Sequence, residues 1–278
     1  SEPSSDELLQ KTLSGVDENS ITLRKVVETL DKAGRDQRIV GIYIDGTNAN
    51  SAVGYASLRE IRQALERFRQ TGKKIIAYST DWNEREYYLS SVANQIVVNP
   101  MGAMEMNGLS SQPMFLAGAL QKYGIGVQIV RVGKFKGAVE PLILDKLSPE
   151  NREQTQKLLD DIWGEWRRAV GKSRNIQPQK LQAIANNQPI LEATAAQANG
   201  LVDKTAYQDQ VFTDLKKLTG QPEKDQKLTK ISLGDYAEVP GESVDSDQKI
   251  AVVYAEGEIV NGSGNDGVSI ITTTIDYF

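Results

Sequence analysis

Residues 39–46, IVGIYIDG, carry an apolar run from Ile39 to Ile44 into the turn pair Asp45-Gly46. A short run of this kind, rich in β-branched residues and closed by turn residues, reads as a strand buried on both faces. Such strands belong to parallel sheets, whose neighbours are joined by crossover helices rather than tight turns. The flanks should therefore be helical, and both are. Upstream, Leu23, Val26, Val27, Leu30 and Ala33 recur at steps of three and four, with Ser20 as N-cap and Gly34 as stop. Downstream, Leu58, Ile61, Leu65 and Phe68 repeat the stripe up to Thr71-Gly72, and Lys74 to Ser79 is the next strand.

The alternation continues along the chain. Glu84 to Ala93 predicts a helix, Gln95 to Asn99 a strand stopped by Pro100, Pro113 to Lys122 a helix, and Val127 to Val132 a buried strand. Ser148-Pro149 supplies an N-cap and a proline at the first helical position, opening a helix that carries Leu158, Leu159, Ile162, Trp163, Trp166 and Val170. Shorter helices follow at Pro178 to Ala185 and Gln208 to Leu218, with Gly200-Leu201-Val202-Asp203 between them. The expected fold class is α/β, a mainly parallel sheet with covering helices, and active groups lie preferentially where strands run into their following loops. A polar stretch at 241–248 reads as a linker between a first domain, 1–240, and the start of a second unit at 249–278, which opens with the strand Lys249 to Tyr254.

Composition narrows the chemistry. With 278 residues, 39% hydrophobic, 25% charged and a net charge of −5, the chain has no bias toward nucleic acid. It contains no cysteine and no histidine, so thiolate nucleophiles, Ser-His-Asp and Cys-His catalysis are excluded within it. A base must be a carboxylate or a desolvated lysine. Zinc is disfavoured for the same reason, a carboxylate site for a hard cation stays open, and no cofactor is expected. No apolar run approaches the roughly 20 residues that cross a bilayer. The chain starts at Ser1 without methionine, so a leader or anchor in a longer parent stays open.

Arg131-Val132-Gly133-Lys134-Phe135-Lys136-Gly137-Ala138-Val139-Glu140-Pro141 follows the expected strand at 127–132. Taken alone, a lysine there is a solvated surface residue with Glu140 as its partner, and Arg131 reads as a structural charge at a strand end, with substrate binding as the lesser alternative. Ser110 and Ser111 read as turn hydroxyls that cap or bind backbone, with a nucleophile role as the lesser alternative, Tyr87, Tyr88, Trp163 and Trp166 as core or interface, and Gly46-Thr47-Asn48 lacks phosphate-loop spacing.

This stretch, preceded by Gly108-Leu109-Ser110-Ser111-Gln112 and followed by Leu147-Ser148-Pro149, resembles the amino-terminal repeat of the protease IV (signal peptide peptidase A) family in its long, tandem-repeat form. Ala195 to Asp203 is similar to a pattern shared with ClpP- and crotonase-like relatives. The resemblance implies a ClpP/crotonase-like fold and a Ser-Lys dyad serine peptidase that degrades cleaved signal peptides, with the first repeat supplying the base and the second the nucleophile. Aligned on that pattern, the catalytic lysine is Lys136, and Gly137 stands where the family usually has serine. A lysine base is chemically reasonable after a buried strand beside Val132, Phe135, Ala138 and Val139, because burial lowers a pKa from about 10.4 by several units. Glu140, if it pointed at the amine, would oppose that shift.

The chain contains no Pro-Gly-Gly-Ser segment of the nucleophile type, so it is expected to be inactive alone. The resemblance further implies peptide substrates, a homo-oligomer, and membrane association, at a bacterial inner or thylakoid-type membrane, through an anchor lying before Ser1. Two alternatives stand beside it: a non-catalytic, oligomer-forming module of the same fold, and, more weakly, a crotonase-like acyl-binding protein.

Overall fold

The computed structural model describes residues 21–47, 53–225 and 227–241. The chain divides into two compact units, Ser1–Val239 and Pro240–Phe278. Of the second, only Pro240 and Gly241 are described, so the expected linker and second unit lie, but for Gly241, outside the described residues.

The first unit runs α1 (Leu23–Arg35), β1 (Gly41–Asp45), α2 (Tyr55–Gln70), β2 (Lys74–Ser79), α3 (Glu84–Ser90), β3 (Gln95–Val98), β4 (Ala103–Glu105), α4 (Ala117–Lys122), α5 (Glu140–Ile143) and α6 (Pro149–Arg174). It continues with α7 (Pro178–Asn187), β5 (Ile190–Glu192), α8 (Ala193–Ala198), β6 (Lys204–Thr205), α9 (Gln208–Thr219) and α10 (Leu233–Glu238). The main sheet has the order β1-β2-β3-β6 and is parallel throughout, with Gly41 opposite Lys74, Ile76 opposite Gln95 and Val97 opposite Lys204. The expected α/β architecture is the one found.

Alternation along β2 explains how the sheet is covered. Ile75 and Ala77 face a large core shared with α1, α2, α3 and α6, while Ile76 and Tyr78 face a smaller cluster with Val211 and Leu215 of α9. Tyr87 and Tyr88 are buried, and Trp163 and Trp166 stack at 4.7 Å in the larger core. The Tyr87 hydroxyl donates to the Leu201 carbonyl, and the Asp203 carboxylate accepts from Ile96 N at 2.7 Å and pairs with Arg174. The Gly200 to Asp203 pattern is thus the seam joining α8 to the sheet.

Several expectations move. β1 begins at Gly41 rather than Ile39 and is only partly buried, because it is the terminal strand of the described sheet. α1 is capped by Thr22, whose Oγ1 accepts from Lys25 N at 3.3 Å, rather than by Ser20, and runs past Gly34 to Arg35. α3 ends at Ser90 in a turn, although Val92 and Ala93 stay buried, and α4 starts at Ala117 instead of Pro113. The strand expected over 127–132 does not form: among the described residues none pairs with it, and Val130 and Val132 are 100% and 85% exposed. An apolar run becomes a strand only where a neighbour can take its backbone hydrogen bonds. The antiparallel pair β4–β5 was not expected; it pairs Met104 with Leu191, across segments far apart in the chain.

One buried cation ties three helices together. Arg62 of α2, 3% exposed, donates to Tyr88 O and to Ser91 Oγ at 2.7 Å after α3, and to Ala169 O at 3.0 Å and Ser173 Oγ at 2.6 Å on α6. Its Nε also meets Glu66 at 3.2 Å. Replacing it strands several acceptors in the interior. Arg62→Met is expected to cost about 3 kcal/mol in urea unfolding, against about 0.5 kcal/mol or less for Arg59→Met, whose partner Glu165 lies 3.8 Å away at the surface.

Candidate active site

The candidate residues lie in a long excursion between β4 and the buried half of α6. The excursion leaves the core at Asn107 and Gly108, whose amides both donate to the Glu84 carboxylate, the second at 2.9 Å. The Glu84 carbonyl in turn accepts from Trp166 Nε1 at 2.7 Å. Ser110 and Ser111 follow, exposed. α4 is tied to α5 by Leu116 N donating to Pro141 O at 2.7 Å.

Lys136 sits between two turns. Gly133, at φ +98°, lets the chain reverse so that Lys136 N donates to Gly133 O at 3.3 Å, and Glu140 N then donates to Gly137 O at 3.0 Å. The side chain of Lys136 is exposed. Among the described residues no carboxylate lies within salt-bridge distance of it. Lys134, its exposed neighbour, lies 4.9 Å from the Phe135 ring centre. The described residues do not form the desolvated pocket expected around Lys136: Val132 and Phe135 are exposed, and the expected strand does not form before them. Among the described residues, no sheet neighbour presses this segment into the core.

Glu140 does not point at the amine. Its carboxylate is 0% exposed and accepts from Ser148 Oγ at 2.6 Å, Ser148 N at 3.0 Å, Asn151 Nδ2 at 3.2 Å and Arg131 Nη1 at 3.3 Å. Ser148 is at the same time the N-cap of α6, its Oγ accepting from Asn151 N at 3.2 Å. Arg131 is therefore a structural charge, as expected, but it serves a loop rather than a strand end. The part played by Glu140 was missed because the sequence places it beside Lys136 while its partners come from either side, at Arg131 and beyond Leu147. The Ser148-Pro149 cap signal was the available hint that a helix N-terminus stood close by.

The hydrogen bonds from Ser148 lead the causes that hold the Glu140 carboxyl well below its ordinary 4.5, at about 2. A carboxyl with a depressed pKa stabilises the folded chain fully above the unfolded value and loses that contribution as pH falls through the folded one. The contribution is thus complete at neutral pH and fades only between about 4.5 and about 2. Followed by NMR, the Ser148 amide proton is expected to titrate near pH 2.

Gly137 lies against Asn151. A Cβ there would stand 2.2 Å from Asn151 Nδ2 and 2.4 Å from its Cγ. The room left by the missing side chain at 137 is filled by that amide, so the absent hydroxyl leaves no vacancy. Gly137→Ala is expected to push Asn151 off Glu140 and cost about 1–3 kcal/mol. In a double-mutant cycle, Asn151→Ala should relieve at least about 0.5 kcal/mol of that loss.

Residues 67–221, more than half of the chain, match the family described as peptidase family S49. The chain is 32% identical over 258 residues to "Protease 4" of Salmonella typhi, an alignment covering 90% of this chain and 41% of that protein. It is 32% identical over 266 residues to "Serine protease SPPA, chloroplastic" of Arabidopsis thaliana, covering 94% and 38%. It is 31% identical over 251 residues to "Protease 4" of Haemophilus influenzae, covering 87% and 40%. The chain thus spans about two fifths of the length of these relatives. The matched residues take in β2, β3, the Lys136 turns and α6 to α9. With the mainly parallel, helix-covered sheet of a ClpP-like α/β fold, the chain belongs to peptidase family S49.

Proposed function

We propose that this chain is the base-bearing part of a serine peptidase working through a Ser-Lys dyad, with Lys136 as general base and the nucleophilic serine supplied from outside residues 1–278. The observation that carries the reading is the state of Lys136: it lies inside the span matched to a peptidase family, its backbone is held by turns, and among the described residues no carboxylate engages its amine. An ion-paired surface lysine would be kept charged; this one is free to be covered.

A neutral amine would take the proton from the serine Oγ as that oxygen attacks the scissile carbonyl. The resulting ammonium would return the proton to the departing amine, and a water deprotonated by the same group would release the acyl product. This chemistry requires desolvation, which lowers a lysine pKa. The exposed apolar side chains Tyr123, Ile125, Val130, Val132 and Phe135 are suited to be covered by the serine-bearing segment or by a second copy of the chain. The reading includes cleaved signal peptides as substrates, a homo-oligomer, and attachment to a membrane through an anchor outside this chain. No helix of the described residues is long and apolar enough to cross a membrane. A second reading, a non-catalytic assembly module, is favoured by the same exposure of Lys136.

A fluorogenic peptide assay separates the two. The isolated chain is expected to show no turnover, and the protein that includes the serine segment to lose about 10²–10⁴-fold in kcat on Lys136→Ala. Lys134→Ala should leave kcat near wild type. Full activity in the Lys136→Ala protein would overturn Lys136 as the base.

A further inference from the structure

Among the described residues between Met106 and Trp163, Glu140 alone is buried, and it is a carboxylate. A charge persists in such a place only when its oxygens are taken up by donors. The donors here come from two directions: Ser148 and Asn151 on the first turn of α6, and Arg131 at the entrance to the Lys136 turns. The decisive contact is the next one. The same Arg131 Nη1 that reaches Glu140 also donates to the Lys136 carbonyl at 3.2 Å.

We infer that Arg131 and Glu140 are positioning residues for Lys136: Glu140, anchored on the N-terminal turn of α6, holds the Arg131 guanidinium, and Arg131 holds the Lys136 backbone. This rests on Lys136 being the base. Lys136 N is bound to Gly133 O, and its carbonyl is bound by Arg131, so the backbone is fixed on both sides while no ion pair among the described residues engages the side chain. A helix cap alone would need only Ser148. The link through Arg131 to the lysine adds nothing to the cap, and it brings the segment that carries the amine into register with α6. Because four donors saturate Glu140, its charge is directed away from the amine it helps to place.

Trypsin reads the clamp directly, because Lys134 and Lys136 are themselves cleavage sites and Lys230, exposed and remote in sequence, serves as reference. In the full chain, Arg131→Met and Glu140→Ala are each expected to speed cleavage after Lys134 and Lys136 by about tenfold or more, with cleavage after Lys230 unchanged. Arg131 is partly exposed, so its replacement leaves the core intact should Glu140→Ala fold poorly. Unchanged rates at Lys134 and Lys136, or an equal rise at Lys230, would overturn the clamp.

In the protein that includes the serine segment, Arg131→Met should lower kcat with little change in KM, and Arg131→Lys should recover part of the loss. A fall in KM-linked binding alone, or no effect on kcat, would overturn the positioning role. Loosened cleavage together with an active Lys136→Ala protein would instead sink the base reading and leave the clamp as architecture.

Discussion

β2 is hydrogen-bonded on both edges and buried on both faces, and this constrains the rest of the unit. A strand so placed must have parallel neighbours at each side and a covering layer above and below. α1, α2, α3 and α6 form one layer and α9 the other, and each crossover returns the chain to the same end of the sheet. The thickness of the two layers is unequal: Trp82, Tyr87 and Trp166 fill the first, while the second rests on a few side chains around Tyr78. Arg62 adds a polar bolt to the thick layer, joining α2, α3 and α6 through carbonyls and hydroxyls that have no other route to a charged donor.

The excursion that carries Lys136 obeys a different rule. Beyond Leu109, which packs against the main core, none of its described apolar side chains is fully buried; it is fastened at its start by Glu84 and at its end by Glu140, in both cases by a carboxylate collecting backbone or side-chain donors. Ordering of this kind is local and directional, and it leaves apolar residues such as Val130 and Phe135 facing outward. In the proposed reading, the division suits a site that is completed by another surface. A hydrophobically packed excursion would have hidden those side chains, and with them the means of excluding water from a lysine.

Much of this was legible beforehand. The period of the helices, the apolar strands of the sheet and the Ser148-Pro149 helix start follow from local spacing and residue type, and residues 131–141 carry the resemblance to the family. The unexpected parts depend on partners distant in the chain. β4 could not be read from Ala103 to Glu105 because its partner is Ile190 to Glu192, and the run at 127–132 could not be rejected because its pattern is that of a strand lacking only a neighbour. The Glu140 cluster combines residues from both sides of the Lys136 turns, and no motif marks such a set.

The sequence by itself determined the chemistry available: without histidine or cysteine, a base must be a lysine or a carboxylate, and Lys136 stands in the stretch most like a peptidase. Only the tertiary structure decided how that lysine is presented. Hydrogen bonds from Ser148, Asn151 and Arg131 draw Glu140 inward, and Arg131 fixes the Lys136 carbonyl, so two charges only four residues apart do not pair. Residue type sets what a group can do. Which groups meet is set by the packing of elements that the chain brings together from far apart.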